Sequence, residues 1–76
     1  MKEKVIEILN QINPQIGQDM DADLLEEGLI NSFEIVNIVM NLEDAIGIEI
    51  DPDLINAANF KSMRNIVALI EGIAQR

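Results

Sequence analysis

The chain has no cysteine, histidine, tyrosine or tryptophan, and its two aromatic residues are Phe33 and Phe60. Without cysteine there is no disulfide framework, so cohesion must come from packing. Without histidine no side chain ordinarily titrates near neutral pH. With both missing, there is no thiolate or imidazole to act as nucleophile or soft metal ligand. Carboxylates remain, but a small helical domain offers them little cleft to work in. The inventory argues against an enzyme. Basic residues are also scarce: five Lys and Arg stand against fourteen Asp and Glu, a net charge of −9 at pH 7. That balance repels nucleic acid and anionic membrane surfaces and favours partners with basic patches. No stretch approaches the ~20 apolar residues of a membrane span. The start, MKEKVIEIL, lacks the apolar run of a signal peptide. A soluble, cytoplasmic monomer is expected, with no nucleic acid, membrane insertion or metal.

What is present is aliphatic. Ile, Leu, Val, Ala and Met supply nearly all of the 49% apolar content. Seventy-six residues make one domain, 1–76, burying roughly 60% of the surface its unfolded chain exposes. Val5, Ile8, Leu9 and Ile12 recur at i, i+3, i+4 and i+7, the stripe of an amphipathic helix. That predicts a first helix over 2–13, ended by Pro14 because the residue before a proline is driven out of the helical region. Residues 14–30 have no clean period. So long a connection is uncommon unless functional or anchored, and Ile16, Met20, Leu24, Leu25, Leu29 and Ile30 can pin it down, with turns at Gly17 and Gly28. A second main helix begins after Asn31, where Asn31 and Glu34 have the spacing of a capping box. The competing reading makes Ser32 the cap, but then Ile35 stands at N3 and can return no hydrogen bond. Asn31 is the better cap, which leaves the Ser32 hydroxyl unconsumed. Gly47 closes this helix. Ile48-Glu49-Ile50 alternates like a short extended piece, Pro52 opens a brief helical turn over 52–58, and a last helix starts near Ser62. Its buried stripe is Met63, Ile66, Val67, Ile70, Ile73 and Ala74. The expected fold is all-α, a small bundle of three main helices plus one short helix, with a long anchored loop between the first two.

The second main helix divides into three faces at about 100° per residue. Ile35, Ile38, Val39, Leu42 and Ile46 make the core face, and Glu34, Asn37, Asn41 and Asp44 a solvated one. Between them lie Ser32, Phe33, Val36, Met40 and Glu43. Phe33, Val36 and Met40 are apolar yet point away from the core stripe, in a row bordered by acids. Either the stripe is wide and packs under the loop, or the row is a docking surface with an acidic rim. Two apolar faces on one helix are better explained by a core plus a partner. Ser32 sits on this third face at the positive end of the helix dipole, where a phosphodiester on its oxygen is favoured. As a catalytic nucleophile it has no base to activate it: there is no histidine, and the lysines are Lys2, Lys4 and Lys61. Calcium binding by DMDADLLEEGLI also fails, because an EF-hand loop needs glycine sixth and glutamate twelfth, where Leu24 and Ile30 stand.

The stretch LLEEGLINSFEIVNIVMNLEDAIGIEI, with NFKSMRNIVALIE opening the last helix, resembles the acyl carrier proteins over essentially the whole chain. This wider family includes aminoacyl and peptidyl carriers. The resemblance implies a carrier, not a catalyst. Ser32 matches the serine that a phosphopantetheinyl transferase loads with 4′-phosphopantetheine from coenzyme A, and the thiol of that arm bears the cargo as a thioester. Asn31, Phe33, Val36, Met40, Glu43 and Asp44 then match positions that meet basic-and-apolar patches on the transferase and on acyl-loading and acyl-processing enzymes of fatty acid, polyketide or related biosynthesis. Ile38, Val39, Leu42 and Ile46 match positions that can line a cavity for a fatty chain. One departure stands out: the family's usual Asp-Ser-Leu is Asn31-Ser32-Phe33 here. Asparagine still caps a helix but brings no charge to the transferase and its metal. The alternative is an acidic interaction module that is never modified.

Overall fold

A computed structural model describes residues 2–75. Its helices are α1 (Lys2–Ile12), α2 (Ser32–Ile46), α3 (Ala57–Phe60) and α4 (Met63–Ala74), with 3₁₀ turns at Pro14–Ile16 and Pro52–Leu54. Among the described residues there is no β-strand. The chain is thus an all-α bundle with three main helices and one short one. The helix α1 packs against both α2 and α4, and α3 packs on α4.

Boundaries follow local chemistry. The helix α1 stops one residue before the expected end, because Asn13 is extended (φ −148°, ψ 105°) and its side chain accepts from the Gln15 N–H, capping the 3₁₀ turn. The single turn expected over 52–58 is in fact two pieces. Asn56 lies between them in an extended conformation (φ −143°, ψ 168°), and its Oδ1 accepts from the Asn59 N–H at 2.9 Å. An N-cap needs non-helical backbone, so no helix runs through it. Gly47 ends α2 in the left-handed region (φ 77°), where a Cβ would be strained. Residues 48–50 form neither helix nor strand, but their alternation survives as burial: Ile50 is buried, Ile48 half-buried and Glu49 exposed.

The core takes one stripe from each main helix. It comprises Val5, Ile8 and Leu9 of α1, Ile38, Val39 and Leu42 of α2, and Met63, Ile66, Val67 and Ile70 of α4. Ile12, Ile35, Ile46 and Ile73 are half-buried at its margins, and Ala74, expected in the stripe, is exposed at the last position of α4. Phe60 of α3 is fully buried as well.

The long connection is anchored, as its scattered aliphatics suggest. Ile16, Leu24 and Ile30 are buried, each contributing ~2 kcal/mol by removal from water. Its polar groups are tied down as well. Asn10 donates to the Gly17 carbonyl and accepts from the Gly17 N–H, and the Asn13 amide donates to the Leu29 carbonyl. The Leu24 N–H donates to the Lys61 carbonyl at 2.7 Å, while the Leu24 carbonyl accepts from the N–H groups of Leu29 and Ile30. The Met20 carbonyl accepts the Arg64 N–H, one of the first-turn donors of α4 that have no partner within the helix. Two of the loop's acids serve the same seam. Arg64 grips both Asp21 oxygens at 2.7 and 3.2 Å, and Lys61 lies 3.8 Å from Asp23. The hydrogen bond and charge of Arg64 hold the Asp21 carboxyl below its usual range. Among the described residues, no three such side chains cluster as a metal site.

Candidate functional site

The site begins where the loop hands over to α2. Ile30 is buried and its neighbour Leu29 is held by Asn13, so the chain emerges from the core at a fixed point. Gly28 turns it there with φ 72°. Asn31 follows in an extended conformation (φ −130°, ψ −178°). Its Oδ1 accepts from the Glu34 N–H at 2.9 Å, and the Glu34 Oε1 accepts from the Asn31 N–H at 3.1 Å. The reciprocal capping box therefore forms on Asn31, not on Ser32. Glu34, placed on the solvated face by the helical wheel, is instead half-buried and engaged in this box.

Ser32 is consequently the first residue inside α2. It is exposed, and its hydroxyl enters no hydrogen bond among the described residues. It borders an open groove of about 430 Å³ lined by Leu25, Ile35, Val36, Ile55, Asn56 and Ala57. Val36 apart, the wheel did not point to these lining residues. Three elements converge on the groove, and no periodicity within one segment reveals such a meeting. The fatty-chain candidates Ile38, Val39 and Leu42 lie elsewhere, buried in the core.

The third face of α2 is open. Phe33 is 84% exposed, Val36 55% and Met40 61%, so none of the three is packed away beneath the loop. Asp44 is exposed at the far end of the row, beside Asn41. Glu43 differs from the other rim residues: it is half-buried, and its Oε2 accepts from the Ile50 N–H at 2.9 Å.

An exposed hydroxyl at the dipole-positive end of a 15-residue helix, beside an apolar groove, suits a phosphate-linked group. The family profile described as "Phosphopantetheine attachment site" matches residues 2–70. The chain belongs to this family of carrier proteins. Relatives agree along its length. The D-alanyl carrier protein of Leuconostoc citreum (strain KM20) is 31% identical over 74 residues, covering 96% of this chain and 95% of the relative. That of Lactococcus lactis subsp. cremoris (strain MG1363) is 27% identical over 73 residues, covering 93% and 92%. That of Bacillus cereus (strain B4264) is 31% identical over 51 residues, 64% and 65% of the two chains.

The cofactor of this carrier protein is 4′-phosphopantetheine, whose thiol supplies the thioester linkage. The residues at the head of α2 fit it. The first-turn N–H groups and the helix dipole favour a phosphodiester there, and Leu25, Val36 and Ile55 offer apolar surface to the arm beyond the phosphate. Among the described residues, no helix is long and apolar enough to cross a membrane.

Proposed function

We propose that Ser32 is the attachment point and that the cargo is a D-alanyl group, presented to partner enzymes by the open face of α2. The observation that carries the proposal is the serine's position. It is exposed at the first turn of α2 while Asn31 does the capping. A serine whose hydroxyl is spent as the cap could not serve in this way.

The cargo reading draws support from two sides. Relatives that align over nearly the whole chain are named D-alanyl carrier proteins. The groove beside Ser32 is open, and Ile38 and Leu42 are fully buried in the packed core. A small aminoacyl group asks for no interior space, whereas a long fatty chain would have to part that core. Phe33, Val36 and Met40 then form the apolar centre of the docking face, with Asn31 and Asp44 at its edge, while Glu43 is engaged by the Ile50 N–H instead. The partners are a phosphopantetheinyl transferase and cargo-handling enzymes with basic patches, attracted by the net charge of −9.

Intact mass tests the proposal in two steps. Incubation with a phosphopantetheinyl transferase and coenzyme A should add one arm to the wild type and none to Ser32→Ala. The loaded carrier is then offered ATP with D-alanine, or with a fatty acid, and the matching adenylate-forming enzyme of a D-alanyl or an acyl carrier system. Aminoacylation with D-alanine alone is expected. Acylation by the fatty acid alone would overturn the cargo reading. A wild type that refuses the arm from every transferase would favour the unmodified interaction module.

A further inference from the structure

Besides Leu25 of the long loop, the groove has two sides. One belongs to α2, through Ser32, Ile35 and Val36, and the other to the segment that follows α2, through Ile55, Asn56 and Ala57. That second wall is internally stiff. The Asp51 carbonyl accepts from the Leu54 N–H and the Pro52 carbonyl from the Ile55 N–H. The Asp51 carboxylate accepts from the Asp53 N–H, and the Asn59 amide donates to the Leu54 carbonyl at 2.7 Å. Residues 51–59 are therefore tied together; the Asn65 amide of α4 holds the Ala58 carbonyl, and the unit's place relative to α2 depends on how its other end is moored.

Among the described residues, one hydrogen bond joins α2 to residues 48–62: the Ile50 N–H donates to the Glu43 Oε2 at 2.9 Å. It sits directly before the stiff unit, on a residue whose side chain is buried. The same Glu43 accepts the Gly47 N–H on its backbone carbonyl, so one residue fixes both the end of α2 and the path of the chain leaving it. We infer that Glu43 is a positioning residue, which sets the far wall of the Ser32 groove by accepting a backbone hydrogen bond, and that its reach matters where its charge does not. This rests on Ser32 being the attachment point, and it separates Glu43 from Asp44, whose exposed carboxylate is a true rim charge.

Two conservative variants separate reach from charge. Glu43→Gln keeps an acceptor oxygen at the same distance and loses the charge. Glu43→Asp keeps the charge and falls one methylene short. Amide hydrogen exchange on the unmodified protein, with no enzyme present, reads the mooring directly. In Glu43→Asp, exchange at Ile50 should quicken about fivefold, from the loss of the hydrogen bond, and the amides of 54–57 should follow. Glu43→Gln should stay within about twofold of wild type. Phosphopantetheinyl transfer to Ser32 should slow in Glu43→Asp and not in Glu43→Gln. Wild-type exchange in Glu43→Asp, or equal losses in both variants, overturns the inference, as does transfer that is unchanged in Glu43→Asp or impaired in Glu43→Gln. A wild type that never accepts the arm would instead count against the carrier site, leaving the exchange result to stand or fall separately.

Discussion

Removing the Asn31 side chain and removing the Ser32 hydroxyl should have opposite consequences, although the two residues are neighbours at one helix end. Asn31→Ala deletes the acceptor of the Glu34 N–H and leaves Glu34 without its reciprocal partner geometry. Losing such a cap costs about 1 kcal/mol. For 76 residues the unfolding entropy is about 160 cal/mol/K near the midpoint, so Tm should fall by about 6 °C. Ser32→Ala removes a hydroxyl with no hydrogen-bond partner among the described residues and substitutes the best helix former at the first helical position. Its Tm should stay within about 3 °C of wild type, a change of ~0.5 kcal/mol or less. Circular dichroism melts give both numbers, and intact mass after transferase treatment gives the functional half. Asn31→Ala should still receive the arm, more slowly because the first turn frays. Ser32→Ala should receive none. If Ser32→Ala melts as low as Asn31→Ala, the serine is the working cap and its hydroxyl is not available for attachment.

Four further outcomes follow from the same geometry. Leu24→Ala, at a fully buried anchor of the long loop, should cost about 3 kcal/mol in urea unfolding; a cost below ~1 kcal/mol would mean the loop is not part of the core. Phe33→Ser and Met40→Ser should leave the urea midpoint nearly unchanged, since both side chains are exposed, yet weaken association with the transferase. Asp44→Lys should slow that association most at low ionic strength, and equal effects at all salt concentrations would contradict a rim charge. Arg64→Gln tests the loop seam through pH. Asp21 is held below its usual value of 3.8, so the pair stabilises the fold above that value. The contribution is lost as pH falls through the lowered folded-state value. The stability gap between wild type and Arg64→Gln should therefore close in strong acid, and a gap that persists there would show that the ion pair is not its source.

The legible parts of the site are those in which neighbours in sequence are also neighbours in space. The Asn31–Glu34 box spans three residues, so its spacing identified the cap, and with it the exposure of Ser32. The row of Phe33, Val36 and Met40 shows on one helical wheel because a helix's own geometry places those side chains together. The stretch 52–58 departs from expectation for a local reason as well: Pro52 does open a helical turn, but it ends at Leu54, and the Asn56 cap starts a separate helix.

From its own order of residues the chain settles its three main helices, the Asn31 cap, its negative charge and the face of α2 left without a core partner. All of these depend on backbone hydrogen bonds and side-chain periodicities a few residues long. The groove beside Ser32 and the role of Glu43 belong to the tertiary structure. Leu25, Val36 and Ile55 come together, and Glu43 meets the Ile50 N–H seven residues away, only after the loop and the segment following α2 have folded onto the helices. Such meetings are decided by packing between segments, which leaves no period in any one of them.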